Sequence, residues 1–364
     1  MDRRNFLQTA ALALPATSLL TLSTRTLAGG ESPPAGWRVF EVTTRVEVQK
    51  PAGRTRVWLP VPLTQDTDYQ KSLGNSWSAE SGSAGFTREP NYGAGIVAAE
   101  FAEGAAPVLS LTSRFATRDR DLDLAKPGNP PPLSKAEFAL FTAATELLPT
   151  DGIVRDTARE ITQGAKGEMD KARAIYEWIV DNTFRDPKTR GCGVGDIRFM
   201  LESRNLSGKC ADLNALFVGL ARSSGVAARD VYGVRVADSL RGFKSLGKAG
   251  DITKAQHCRA EFWSPAHGWV PVDPADVRKV VLEEKPGLTL ADEAPQRARK
   301  MLFGSWEMNW VAYNYAHDLA LPGAAKGKLG FFMYPCCETA EGKLDSLDPA
   351  AFKYTLTARE LAFA

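Results

Sequence analysis

Histidine and cysteine are scarce in this sequence, with three histidines and five cysteines among 364 residues. No group of them has the spacing of a zinc site. The adjacent Cys336-Cys337 pair could bind a soft metal ion, but the spacing favours no metal, and we expect no other cofactor either. Glycine-rich stretches such as residues 191–195 lack the phosphate-binding loop pattern, so a nucleotide site is not predicted.

An excess of charge of either sign is also missing. Lys and Arg number 45 against 43 Asp and Glu, and beyond residue 28 the two classes are equal at 42 each. This balance gives no electrostatic footprint for nucleic acid or for an anionic membrane surface. The hydrophobic content of 44% is that of a globular protein, and the length predicts two domains.

A long apolar span is absent as well, although the N-terminus has a distinctive pattern. The uncharged run from Asn5 to Thr24 is interrupted by Pro15, and its apolar centre is shorter than the roughly 20 residues of a spanning helix. Before it, Arg3-Arg4 with the following Phe and Leu resembles a twin-arginine export signal, and Thr26-Leu27-Ala28 fits a cleavage site. Residues 1–28 are therefore predicted to be a cleaved signal peptide of a periplasmic or secreted protein without stable membrane insertion; an N-terminal helix or an uncleaved anchor is the alternative.

Period-two alternation of apolar residues begins at Trp37 and predicts β structure. Further strands are predicted at residues 56–61, 96–101 and 108–116, whereas the turn-forming residues of 74–95 predict a loop. These patterns favour an antiparallel β-sandwich over residues 36–120. The proline-rich stretch 121–134 is predicted to be a linker.

Helical periodicity then predicts an α+β core over residues 135–320. Helices are expected from Ser134 to about Leu148, at 151–163, 167–182 and 197–203, and from Cys210 to about Ser224. Strands are expected at 231–236, 257–263 and 269–273, followed by a helix-like stretch at 310–321. Residues 321–364 are predicted to be an extension whose two strands, at 331–334 and 352–357, pack on the core.

Three residues in this core suggest a nucleophile, a base and an orienting group. Cys210 lies at a helix N-terminus, where the helix dipole and free N–H groups favour a thiolate. His257 begins one strand and Asp273 ends the next, so antiparallel pairing brings them together. Taken singly, each residue also fits a structural role, as a buried thiol, a hydrogen-bonded histidine and a turn former.

The neighbouring residues leave several points open. A second donor to an oxyanion is not identifiable, with Gln256, Trp306 and Trp310 as spatial possibilities. The remaining cysteines could form disulfides in an oxidising compartment, in three alternative pairings of Cys192, Cys258, Cys336 and Cys337.

Two sequence blocks resemble the transglutaminase-like superfamily. The first is Gly208-Lys209-Cys210-Ala211-Asp212 with its downstream Leu220–Arg229 segment, and the second runs from His257 through Trp263 to Asp273-Pro274. The resemblance covers about residues 135–285 and implies a papain-like fold with a catalytic triad of Cys210, His257 and Asp273. Arg259 replaces an aromatic residue that is frequent in relatives, which is expected to change the wall of the cleft.

The resulting hypothesis is an exported cysteine acyl-transfer enzyme. A thioester at Cys210 would be resolved by water, as in an amidase or peptidase, or by an amine, as in a transglutaminase. The substrate would be a protein, a peptide or a cell-wall peptide. The alternative is a non-catalytic binding or scaffolding module that retains the fold.

Overall fold

The N-terminal part of the chain is β structure. The structure, a computed structural model, describes residues 35–325 and 327–362, so the predicted signal peptide lies outside the described residues. Seven strands come first: β1 (Arg38–Val48), β2 (Thr55–Pro60), β3 (Gln70–Glu80), β4 (Gly82–Arg88), β5 (Gly95–Phe101), β6 (Val108–Thr117) and β7 (Arg120–Asp121). The loop predicted over 74–95 is wrong, because β3 and β4 are mostly exposed strands that lack an apolar face.

Helices and short strands form the next segment. They are α1 (Lys135–Thr142), α2 (Gly152–Ile161), α3 (Glu168–Asn182), β8 (Phe184–Arg185), α4 (Ile197–Ser203), β9 (Ser207–Gly208) and α5 (Cys210–Ser223). Helix α1 begins at the predicted Ser134 cap but ends at Thr142, short of Leu148. It ends there because Ala143 has an extended conformation, with ψ of 147°, and its carbonyl accepts a hydrogen bond from Arg222 at 3.1 Å.

The rest of the chain alternates strands and helices. The elements are β10 (Ala228–Arg235), a 3-10 turn (Lys244–Leu246), β11 (Gly250–Asp251), β12 (Gln256–Ser264), β13 (Gly268–Val272), α6 (Pro274–Glu283), α7 (Glu293–Met301), β14 (Ser305–Trp306), β15 (Trp310–Asn314), β16 (Cys336–Thr339), β17 (Gly342–Leu344) and β18 (Phe352–Leu361). The helix-like stretch predicted at 310–321 is wrong. Its first half is β15, which is buried on both faces and therefore shows no alternation.

Two five-stranded antiparallel sheets form the β-sandwich. Their strand orders are β11-β18-β1-β6-β3 and β17-β16-β2-β5-β4. Buried side chains from both sheets meet between them, among them Val46, Val57, Leu59, Phe101, Leu109 and Phe352. The predicted sandwich therefore exists, but it uses strands from both ends of the described chain.

The C-terminal segment contains the strands β16, β17 and β18. The strand predicted at 331–334 is wrong, because Phe332 and Met333 pack into two different buried clusters and these residues pair with no strand of the described chain. Strand β18 pairs with β1 along its whole length, from Val39 opposite Leu361 to Val48 opposite Phe352. Strand β16 pairs with β2. Strand β18 also contacts the core segment, through its pairing with β11 and through Leu356, which packs in one cluster with Val311. Backbone N–H and C=O groups at the open edges of β1 and β2 account for this placement, because an unpaired edge takes up another strand.

The α+β core contains a four-stranded antiparallel sheet of order β13-β12-β10-β15. Helix α5 packs against this sheet in the largest buried cluster, which includes Phe217 and Phe262. A separate cluster, containing Phe40, Phe115, Val311 and Leu356, joins the sandwich to the core sheet. The described residues consequently belong to one compact unit. In the described part of the chain, no helix has the length and apolar character needed to cross a membrane.

Candidate active site

Cys210 is the first residue of α5, a helix that is buried from Cys210 to Arg222. The helix start is fixed by the carboxylate of Asp212, which accepts hydrogen bonds from the backbone N–H groups of Lys209, Val194 and Gly195, each at 2.9 Å. The bond from Lys209 caps the helix start, and the bonds from Val194 and Gly195 attach the preceding loop to it. The position of the Cys210 side chain is therefore set by its own backbone and by the loop before α4.

The glycine-rich stretch 191–195 is the part of that loop which touches the helix. Gly193 has φ of +100°, and a Cβ atom at this position would clash with the carboxylate of Asp212. Beside it, Cys192 O accepts the N–H of Ala211 at 2.9 Å. The N–H of Cys210 itself donates to no other described residue. The glycines thus permit a close approach, and one helix N–H next to the sulphur stays available.

His257 and Asp273 are brought together by the hairpin of β12 and β13. His257 Nε2 lies 2.7 Å from Asp273 Oδ2, and both side chains are buried. Asp273 is also the N-cap of α6. Its Oδ1 accepts hydrogen bonds from Asn214 Nδ2 and from the N–H of Asp276, each at 3.1 Å. The carboxylate is therefore held in place from three sides, and the imidazole keeps Nδ1 for another partner.

A second carboxylate lies beside the same imidazole. Asp276 Oδ2 is 3.4 Å from His257 Nε2, and Arg235 Nη2 donates to both oxygens of Asp276, at 2.7 and 2.8 Å. His257, Asp273 and Asp276 place their ligand atoms within 4.8 Å of one another, a grouping that also suits a metal ion. The guanidinium of Arg235 already supplies positive charge to this group.

The surroundings shift the pKa values of the two reactive groups in opposite directions. Burial and the charge of Arg235 lower the pKa of His257, but the carboxylates of Asp276 and Asp273 outweigh them and raise it to about 9. The neighbouring Cys192 and Cys258 side chains, together with His257, lower the pKa of Cys210 well below that of an ordinary thiol despite its burial. The arrangement favours a thiolate and an imidazolium near neutral pH.

Cys210 and His257 line a cleft of about 830 Å³, to which Cys192, Gln256 and Tyr334 also contribute. Part of the wall comes from the C-terminal segment, including Leu347, Phe352 and Tyr354. Cys210 is only 3% exposed, although a helix start by itself would leave its first side chain partly open to solvent. The loop at 191–195 and the C-terminal wall enclose the helix end that an isolated helix would leave open.

Comparison with known proteins indicates the family of this chain. Residues 155–274, which contain all three predicted site residues, match the transglutaminase-like superfamily. An uncharacterized protein of Haemophilus influenzae is 33% identical over 345 residues, covering 89% of this chain and 92% of the relative. The chain belongs to the transglutaminase-like superfamily.

Two solved structures are similar to this transglutaminase-like chain. A candidate cysteine protease from Cytophaga hutchinsonii has a TM-score of 0.49 and 16% identity, with 89% of this chain and 98% of that one covered. The periplasmic domain of TgpA from Pseudomonas aeruginosa has a TM-score of 0.36 and 15% identity, with coverage of 66% and 92%.

Arg259 does not form the wall of the transglutaminase-like cleft, which corrects the expectation from the sequence. It is buried behind the site, with Nε 3.7 Å from Asp273 Oδ2 and its guanidinium over the rings of Trp306 and Trp310. The two indoles are also unavailable as oxyanion donors. Trp306 Nε1 donates to Val272 O at 3.2 Å, and Trp310 Nε1 donates to His257 O at 2.8 Å.

Asn214, Arg235 and Asp276 are site residues that the sequence analysis missed. Two of them had a local signal. Asn214 lies four residues after Cys210 on the same helix face, and Asp276 occupies the N3 position after Asp273 and Pro274, a pattern typical of a capped helix start. Arg235 had none, because it reaches the site through the pairing of β10 with β12.

The other cysteines are free thiols. Cys192 and Cys258 lie close enough to Cys210 to affect its pKa. Cys337 belongs to the cluster between the sandwich sheets, whereas Cys336 packs against a different cluster around Trp58. The two adjacent thiols therefore point to opposite sides of β16.

Proposed function

We propose that this chain is a cysteine acyl-transfer enzyme acting on an amide or peptide carbonyl, with Cys210, His257 and Asp273 as its catalytic residues. The observation that carries the proposal is the thiol at the start of a buried helix, facing the same cleft as an imidazole that is bonded to a buried carboxylate. Membership of the transglutaminase-like superfamily supports the assignment.

The reaction has two halves. The Cys210 thiolate adds to the carbonyl carbon, and the imidazolium of His257 gives its proton to the leaving nitrogen as the C–N bond breaks, which leaves a thioester and a free amine. His257 then takes a proton from water or from an incoming amine as that nucleophile attacks the thioester. Water yields a carboxylic acid and an amine yields a new amide, and both routes restore the thiolate–imidazolium pair.

Two donors are suited to the oxyanion of the tetrahedral intermediate. The N–H of Cys210 is one, because it has no other acceptor in the described chain. Gln256 Nε2 is the other: the residue is buried, lines the cleft, and its amide nitrogen has no hydrogen-bond partner in the described structure. With both indoles engaged elsewhere, Gln256 is the remaining candidate among the three that the sequence suggests.

The site of action is proposed from the sequence. Residues 1–28 have the twin arginines, the uncharged run and the small residues of a cleaved export signal. We propose that the mature protein acts in the periplasm or outside the cell. Replacing Arg3 and Arg4 by lysine should retain the protein, unprocessed, inside the cell, as judged by fractionation and N-terminal sequencing.

Iodoacetamide labelling tests the catalytic assignment. The mature protein is alkylated between pH 4 and 9, and each cysteine is followed by mass spectrometry. We expect fast labelling at Cys210 well below pH 8, and slow labelling of this thiol in His257→Ala. Labelling of Cys210 at the rate of a free thiol in the unmutated protein would refute the proposal.

Turnover supplies the second test once a substrate is identified. Cys210→Ala and His257→Ala should abolish it, while Asp273→Ala should leave more activity than either. Lys166→Glu, an exposed change outside the cleft, is the control. Full activity in all three site variants would contradict the assignment.

A further inference from the structure

Positive charge is concentrated around the cleft although the whole chain is nearly neutral, with a formal net charge of +2. Seven lysine or arginine residues line the cleft, against one acidic residue, Asp251. A cleft lined by charges of one sign focuses its electric field and attracts ligands of the opposite sign.

Four of the seven cations have carboxylate partners. Arg235 pairs with Asp276, Arg190 with Asp345, and both Arg185 and Lys279 approach Glu283. Together with Asp251, these three partners bring the negative charges to four. When the Cys210 thiolate, the His257 imidazolium and its partner Asp273 are counted as well, the cleft and its immediate partners keep an excess of two positive charges.

Three of the cleft cations, Lys209, Lys248 and Lys254, have no carboxylate within 4.0 Å among the described residues. Lys248 and Lys254 are exposed and follow the 3-10 turn before β12. Lys209 directly precedes Cys210, and its Nζ donates to Thr189 O at 2.7 Å, a neutral acceptor that leaves its charge unbalanced. The three ammonium groups come from two different segments that border the nucleophile.

We propose that the cleft selects acidic peptides as acyl donors, with their carboxylates attracted by Lys209, Lys248 and Lys254. The inference rests on the proposed function and names its substrate class. The cleft volume of about 830 Å³ lies in the range of sites that enclose small ligands. Leu347 and Phe352 in the C-terminal wall offer apolar contact to the hydrocarbon part of such a chain.

Two alkylating reagents that differ in charge test the field at Cys210. Iodoacetate is an anion and iodoacetamide is neutral, so the ratio of their rates at Cys210 measures the local potential. A unit charge roughly 10 Å away in water changes such a rate about twofold. Lys248→Glu/Lys254→Glu changes the charge by four units, so the ratio should fall about 16-fold at low ionic strength.

Controls separate the cleft from the overall charge. Lys166→Glu should leave the ratio unchanged, because Lys166 is exposed and lies outside the cleft lining. In 1 M NaCl, where the Debye length is about 3 Å, the difference between the double variant and the unmutated protein should disappear. A ratio that does not respond to the double charge reversal would overturn the proposal.

Protection by peptides tests binding itself. Triglutamate should slow the reaction of Cys210 with iodoacetamide, trilysine should not, and the protection should be weakened in Lys248→Glu/Lys254→Glu. Equal protection by the two peptides, or protection by neither, would overturn the preference for acidic chains. Failure of the proposed function gives a different result, since iodoacetamide alone would then label Cys210 no faster than a free thiol.

Discussion

Replacing Cys210 by serine should change how folding stability depends on pH. In the native protein the pKa of Cys210 is lowered and that of His257 is raised to about 9, so near neutral pH the pair holds one proton, on the imidazole. In the unfolded chain the thiol has a pKa of about 8.5 and the imidazole a pKa of about 6.5. At a pH between these two values the pair therefore also holds one proton, on the sulphur. Because the two states bind equal numbers of protons, the pair adds no pH dependence in this range.

The serine variant keeps the raised pKa of His257 and loses the thiol. Between about pH 6.5 and 8.5 its native state binds one proton more than its unfolded state. Because the pKa of His257 is higher in the folded than in the unfolded protein, its protonation stabilises the fold fully at a pH below the unfolded pKa of about 6.5. This stabilisation is lost as the pH rises towards the folded pKa of about 9. The free energy of unfolding should therefore fall by about 1.4 kcal/mol per pH unit, or about 3 kcal/mol across the range.

Urea denaturation followed by circular dichroism at half-unit steps from pH 6 to 9 measures this change. Cys337→Ser is the matched control. Its thiol is buried in the sandwich with a pKa raised by burial to about 12, so its loss lowers stability without adding a slope below about pH 8.5. Parallel pH curves for the unmutated protein and Cys210→Ser would refute the thiolate–imidazolium pair.

Three further outcomes follow from the packing around the site. Asp276→Asn leaves the buried Arg235 unpaired and should lower the free energy of unfolding by about 3–5 kcal/mol. It should also lower the pKa of His257 below 9 in an NMR titration of the three histidines, and Arg235→Gln/Asp276→Asn should reverse most of both effects. A His257 pKa still near 9 in the single variant would contradict the role of Asp276. Gly193→Ala should lower the melting temperature and slow the alkylation of Cys210 more than the control Gly164→Ala does. Both glycines have positive φ, but only a Cβ atom at Gly193 would contact Asp212, so equal effects would exclude that contact. Phe352→Ala should lower the free energy of unfolding by about 3–5 kcal/mol in denaturant titrations, and a loss under 1 kcal/mol would show that the wall is not packed as described.

Those site residues that are positioned by segments close to each other in the sequence can be predicted from the sequence. A helix start places Cys210, and a short hairpin between adjacent strands places His257 beside Asp273, so capping and alternation suffice for both. Arg235 and the C-terminal wall depend on pairing between strands far apart in the chain, and periodicity carries no information about such partners.

The same reasoning explains the errors in the fold. Strands β3 and β4 present mostly polar, exposed side chains, so their glycine and serine residues resemble a loop. Strand β15 is buried on both faces and has no alternation to distinguish it from a buried helix. In each case backbone pairing with a distant strand decides the structure.

The pairing of β1 with β18 has a consequence for the order in which the protein matures during synthesis. Strand β1 begins at Arg38, yet its partner includes residues up to Leu361, and the cleft wall at Phe352 and Tyr354 belongs to the same late segment. A ribosome-bound chain that ends before residue 352 carries Cys210 without this wall and leaves one edge of β1 unpaired. The finished cleft can therefore form only after residues 352–361 have been made, so truncated translation products would carry the nucleophile without the enclosure that surrounds it in the complete fold.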